Sequence, residues 1–192
     1  MVYDGILLAL VIGFLRGGSL KGFGDIQFKM GWVFPALLLF QFFIFSFQNK
    51  IAWIGEISTF SFVAVYIIGL VFLWLNRHHA HFRLIFWGVL LNFIVILLNG
   101  GRMPVSHEAI LLLDPSYFDT AKEGLYAKHA FMTDNTMFSF LGDIIPLRAP
   151  YPIEQVISIG DIIMNIGAFL SIQSIMLRKE ESMYPQTATL RR

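Results

Sequence analysis

Cysteine is absent from the 192 residues, which excludes a disulfide framework, a thiolate nucleophile and thiolate metal ligation. Charge is scarce: Asp, Glu, Lys and Arg together make up 14% of the chain, with a net charge of +1. No basic stripe exists to meet a nucleic acid. The spacings that mark familiar site chemistry are missing as well. There is no His-Glu-x-x-His or paired-Cys metal pattern and no Gly-x-Ser-x-Gly nucleophile elbow, so neither a metal nor a cofactor is expected.

What fills the space is hydrocarbon. Hydrophobic residues are 56% of the chain and Phe alone contributes 20, more than a soluble domain of this size can bury, so the composition indicates an integral membrane protein. Five apolar runs approach the roughly 20 helical residues needed to cross a bilayer core: Val2 to Ser19, Met30 to Phe47, Ser58 to Asn76, Phe82 to Asn99 and Val156 to Leu177. The first is the weakest, because Asp4 and Arg16 leave only eleven uncharged residues between them. Their position at its two ends allows both to reach the interface. Asp4 precedes the apolar stretch and Arg16 follows it, the reverse of a cleavable signal peptide.

Basic residues orient the chain, since short cytoplasmic loops are enriched in them. Arg16, Lys21 and Lys29 occupy the first connection, Arg77 and Arg83 the third, and Arg178, Lys179, Arg191 and Arg192 the tail. The expectation is an all-α, five-helix transmembrane bundle with the N-terminus outside and the C-terminus inside. Residues 1–178 form one domain and 179–192 a cytoplasmic polar tail.

The fourth connection, about residues 100–155, carries most of the polar chemistry and is expected to be extracytoplasmic and built of short interfacial helices. Ser106 precedes His107-Glu-Ala-Ile-Leu-Leu-Leu113 as a helix cap would, with Asp114-Pro115 as its stop. Amphipathic turns are expected from Ser116 to about Phe140, and Arg148-Ala-Pro-Tyr-Pro152 reads as an extended entry to the last helix. Asp161 lies about one and a half turns inside the last apolar run, where a carboxylate is costly unless it is partnered or caps the helix. Arg102, leaving the fourth helix after Asn99-Gly-Gly, is its expected partner or the holder of an anion. Asn99, Arg102, His107, His129, Asp143 and Asp161 together form the candidate ligand-binding set, with the histidines suited to proton exchange near neutral pH.

Elsewhere, Arg16-Gly-Gly-Ser-Leu-Lys-Gly-Phe-Gly-Asp25 reads as a turn meeting lipid headgroups, and His78-His-Ala-His81 as a polar cytoplasmic hairpin. Trp32, Trp53, Trp74 and Trp87 sit near helix ends as interfacial anchors. Asn92 and Asn165 are placed to hydrogen-bond between helices, with lining a path as the alternative. Gly-Asp-Ile-Ile occurs twice, at Gly142 and Gly160, and suggests a segment that enters the membrane interface twice.

Leu15-Arg-Gly-Gly-Ser19, Asn99-Gly-Gly-Arg-Met-Pro-Val105, Leu141-Gly-Asp143 and Ser158-Ile-Gly-Asp161 together resemble the marks of a family of small bacterial multi-pass membrane proteins classed only as a domain of unknown function. That resemblance implies a bacterial inner-membrane protein and transfers no activity. A membrane phosphatase's Pro-Ser-Gly-His and a rhodopsin's lysine in the last helix are both missing. The leading expectation is an extracytoplasmic polar pocket that binds or translocates an amphipathic anionic ligand such as a lipid or lipid-linked headgroup. The alternatives are an accessory subunit of a larger membrane complex, with protein partners in the membrane, and an enzyme using Asp and His as acid and base.

Overall fold

The structure, a computed structural model, describes residues 2–47, 51–113 and 129–178. It is mostly helical. Five long apolar helices coincide with the five apolar runs: α1 (Val2–Leu15), α3 (Val33–Phe47), α4 (Ala52–Leu75), α5 (Phe82–Leu98) and α7 (Ile159–Met176). Two short helices, α2 (Lys21–Gly24) and α6 (His107–Leu111), lie in connections. Among the described residues, α7 alone suffices by length and composition to cross a membrane, whereas the apolar segments of the other long helices are shorter, at residues 5–15, 33–44, 60–75 and 82–98.

The long helices pack in the spatial order α1, α7, α5, α4, α3. Small residues set the closest contact. At Gly88 of α5 a methyl group would meet the Gly160 carbonyl oxygen and the Met164 amide at 2.6 Å, so the α5 and α7 backbones touch, as small residues permit between apolar helices. Gly5 of α1 plays the same part against the Asn165 side chain.

One end of the bundle gathers the basic connections. The Arg16 guanidinium donates to Gln173 Oε1 at 2.9 Å, and the Ser19 amide donates to the Met176 carbonyl at the end of α7. Asn76, fully buried at the end of α4, donates to the Lys29 carbonyl and accepts from the Lys29 amide. His81, at the start of α5, lies 3.1 Å from the Ser174 hydroxyl. These bonds bring Arg16, Lys29, Arg77, Arg83 and Arg178 to one end.

The opposite end carries a small polar cap containing four strands, each three residues long: β1 (Met103–Val105), β2 (His129–Phe131), β3 (Ile145–Leu147) and β4 (Gln155–Ile157). β1 and β2 pair in parallel, β3 and β4 antiparallel, and a bridge from Val105 to Asp143 joins the two pairs. Val105, Ile110 and Val156 form the cap's apolar centre. Val95 and Ile96 of α5 pack with Met103, Tyr66 and Leu141 where cap meets bundle.

The cap corrects the all-α expectation and the expectation that this segment consists of short interfacial helices. Only α6 and a single 3-10 turn at Ser139–Leu141 are helical there among the described residues. Three-residue strands are too short to show an alternating pattern, and Pro104 and Pro146 within two of them argue locally against strand. Arg148-Ala-Pro-Tyr-Pro152 lies in the turn of the β3–β4 hairpin instead of forming an extended lead-in to the last helix. The amphipathic turns expected from Ser116 fall largely on residues 114–128, outside those described, as do Asp114-Pro115 and the tail from 179. The two Gly-Asp-Ile-Ile copies adopt different structures: the first leads into β3 and the second opens α7. Their likeness is one of sequence only.

Candidate functional site

Ser158-Ile-Gly-Asp161 is a helix start in which every polar group has a task. Ser158 Oγ accepts from the Asp161 amide at 3.0 Å, and Asp161 Oδ2 accepts from the Ser158 amide at 3.2 Å, a reciprocal box that satisfies two donors left over at a helix N-terminus. Asn92 of α5 completes the arrangement. Its Nδ2 donates to Asp161 Oδ1 at 2.9 Å and its Oδ1 accepts from the Ser158 hydroxyl at 2.8 Å. Gly160 is required because a methyl there would meet Asn92 Oδ1. Asp161 is therefore capped and partnered by Asn92, and Arg102 takes no part.

Asn99-Gly-Gly-Arg-Met-Pro-Val105 ends α5 and begins the cap. Gly100 and Gly101 both have positive φ, and the Gly101 amide donates to the Ile96 carbonyl at 2.9 Å, the left-handed termination that glycine adopts without penalty. Asn99 fastens the cap to the helix by donating to the Met137 carbonyl and accepting from the Met137 amide, both at 2.9 Å. Beyond the glycines, extended backbone alternates its side chains. Gly101 and Met103 face a cavity that Arg102, half-buried, does not line.

Leu141-Gly-Asp143 supplies the cavity's other acid. The Asp143 amide donates to the Pro104 carbonyl and its carbonyl accepts from the Ser106 amide, which holds the residue beside β1. Its carboxylate is buried, with Oδ2 3.3 Å from His129 Nε2 on β2 and Oδ1 without a hydrogen-bond partner. Burial pushes the Asp143 carboxyl above its ordinary value; the hydrogen bond and charge of His129 oppose that push, and the charge of Asp161 adds to it.

The cavity, of about 150 Å³, lies at the junction of bundle and cap. His129, Asp143 and Asp161 line it, as does Asn92, for which the sequence offers interhelical bonding or a place along a path. Gln41 of α3 and Tyr66 of α4 complete its polar wall, and Phe62 and Ile96 lie on its apolar side. Neither Gln41 nor Tyr66 was singled out from the sequence; each is a polar side chain set in an apolar run, and that isolation was the available signal. His107 stands outside the cavity, exposed at the start of α6 with its ring 5.3 Å from that of Phe131. Asn99, Arg102 and His107 thus separate from His129, Asp143 and Asp161. Among the described residues no group of three His, Asp or Glu side chains is arranged to hold a metal.

Among the described residues the wall therefore contains two carboxylates, two amides, a phenol and an imidazole, and no Lys or Arg. Such a lining accepts hydrogen bonds more readily than it neutralises an anion. Residues 25–173 match the profile of DUF5317, a family of unknown function. An uncharacterized protein of Thermotoga maritima is 30% identical over 170 residues, covering 88% of this chain and 89% of its own length. No solved structure matches the chain.

Proposed function

The chain belongs to this family of unknown function, so membership brings no activity, and we propose from the site itself that it is a multi-pass membrane protein binding the polar end of an amphipathic ligand at its extracytoplasmic face. Three features support the membrane reading. Five long apolar helices expose large side chains outward, among them Leu39, Phe42 and Phe60, each more than 70% exposed. Basic residues gather at one end of the bundle. Trp32, Trp74 and Trp87 stand exposed near helix ends, as interfacial anchors do. The gathered Arg and Lys face the cytoplasm by the positive-inside rule, which places the cap outside.

The observation that carries the ligand reading is the unpartnered Oδ1 of Asp143, buried in the wall of a cavity that also holds Asp161. An acceptor buried without a donor costs about 1–3 kcal/mol, and more when charged. A ligand that brings a donor removes that cost. Arg102 suggested an anionic ligand, but its absence from the wall and the presence of two acids favour a protonated amine or another donor-rich group. The volume is close to that of an apolar protein cavity that holds benzene, about 150 Å³, so the cavity admits a headgroup and leaves the rest of an amphipathic ligand outside.

Native mass spectrometry of the detergent-extracted protein tests this, with phosphatidylethanolamine as the probe and its N-acetylated form as the control. The expected result is retention of the amine lipid by the wild type and a loss of about tenfold or more in Asp143→Asn, the range for removing a charged hydrogen-bond partner. Equal retention of both lipids, or retention unaffected by Asp143→Asn, overturns the reading.

A further inference from the structure

At the basic end, away from the acidic cavity, the turn between α4 and α5 forms a second, open basin of about 500 Å³. We propose that this basin binds a phosphate group. Its wall contains Arg77, His78, His79, His81 and Arg83, with Trp87 at its apolar edge, and no carboxylate among the described residues. A concavity whose ionisable wall groups can only be neutral or positive concentrates anions, and guanidinium groups match the oxygens of phosphate in pairs.

The local backbone favours the same charge. α5 starts here, and its N-cap residue His81 is left-handed, with φ of 64° and no side-chain cap bond. The positive end of a 17-residue helix dipole thus opens beside Arg83 without a side-chain cap from its N-cap residue, while the Phe82 and Leu84 amides donate to the His79 and His81 carbonyls. Arg77 is already oriented: it donates to the Trp74 carbonyl at 2.7 Å and lies over the Trp74 ring. Arg83 is exposed and has no ion-pair partner among the described residues.

His79 adds an independent sign. Its Nε2 is buried without a hydrogen-bond partner. Its pKa is lowered, chiefly by burial and next by neighbouring His78, while a hydrogen bond to the Gln27 backbone raises it. An anion supplies a partner for that nitrogen and favours protonation of the ring. The three histidines do not form a metal site by the arrangement of their side chains, which leaves phosphate as the ligand chemistry matching both guanidiniums and the helix end.

A lipid headgroup and free phosphate share this chemistry, and separate arms of one experiment distinguish them. Full-length protein in detergent is titrated with phosphatidylglycerol, with the matched diacylglycerol, and with inorganic phosphate, and adducts are read by native mass spectrometry. Variants are Arg83→Gln, Arg77→Gln/Arg83→Gln, Arg83→Lys, and Arg102→Gln as a basic residue at the other end. Expected is an adduct with phosphatidylglycerol or with inorganic phosphate and none with diacylglycerol. It should fall about tenfold or more in the double variant, fall less in Arg83→Gln, be partly kept in Arg83→Lys, which retains the charge but not the paired donors, and be unchanged in Arg102→Gln. Retention of phosphatidylglycerol alone identifies a headgroup site; retention of inorganic phosphate identifies a site for the free anion. Equal retention of diacylglycerol, no phosphate adduct in either arm, or equal losses in the double variant and Arg102→Gln overturns the proposal.

Discussion

Asp143 is the residue on which most of the site's electrostatics turns. Because burial raises its pKa above the ordinary 3.8, the folded state holds the proton more tightly than the unfolded chain does. The resulting stabilisation is fully present below 3.8 and is lost as pH rises through the folded-state value. Asp143→Asn keeps the shape and removes the titration. Thermal unfolding in detergent, followed from pH 3.8 upward, should therefore show the variant gaining on the wild type as pH increases. A difference in melting temperature that stays flat across that range would mean that the carboxyl is not buried as described. Binding of an amine should show the opposite dependence, strengthening as Asp143 ionises, because proton and ligand compete for the same oxygens.

The same residue shows what could be read before any coordinates. Asp143, Asp161 and His129 stood out because ionisable groups next to apolar runs are costly and need a reason. Arg102 stood out on the same ground, yet its side chain leaves the cavity, since two left-handed glycines and one step of extended backbone decide its direction. Nothing in residue spacing reports that turn. Gln41 and Tyr66 stand out in the sequence only as polar side chains isolated in apolar runs, and the packing of α3 and α4 is what brings them to the wall.

At the level of elements, the five long helices were visible as apolar runs because composition alone determines them, whereas the strands were not. Each strand makes sense only with its partner: β1 pairs with β2 across more than twenty intervening residues, and no local pattern encodes such a pairing. The α5–α7 contact offers the clearest element-scale prediction. Gly88→Ala would push a methyl into the Gly160 carbonyl and the Met164 amide, backbone atoms that cannot swing away. We expect a loss of about 1–3 kcal/mol, the usual range for overpacking, read as a lower melting temperature in detergent. Gly69, with open space around it, is the matched control, and Gly69→Ala should leave stability unchanged or slightly raised, since alanine is the better helix former. A fall of the same size at both positions would show that the effect is not one of helix contact.

For the whole molecule, the absence of cysteine becomes an experimental advantage. On the membrane reading proposed above, single cysteines introduced at exposed positions would report which side of the membrane each end occupies. With the positive-inside orientation, a membrane-impermeant maleimide added to intact spheroplasts should label Phe140→Cys and Ile153→Cys in the cap. It should label Arg83→Cys only after the membrane is opened. Labelling of Arg83→Cys in intact spheroplasts, or no labelling of the cap positions before lysis, reverses the orientation and places the acidic cavity in the cytoplasm.

The position of α7 in the bundle carries a consequence for how the protein is made. This helix is the latest of the five to leave the ribosome, yet it packs against both α5 and α1, and it supplies Asp161 to Asn92. Until it arrives, Asn92 lacks the partners that Ser158 and Asp161 provide, and the glycine surfaces of α1 and α5 have nothing to close upon. On the membrane reading proposed above, a nascent chain stalled before α7 is thus an open assembly with a polar side chain facing lipid, a feature by which membrane quality control would tell an unfinished copy from a finished one.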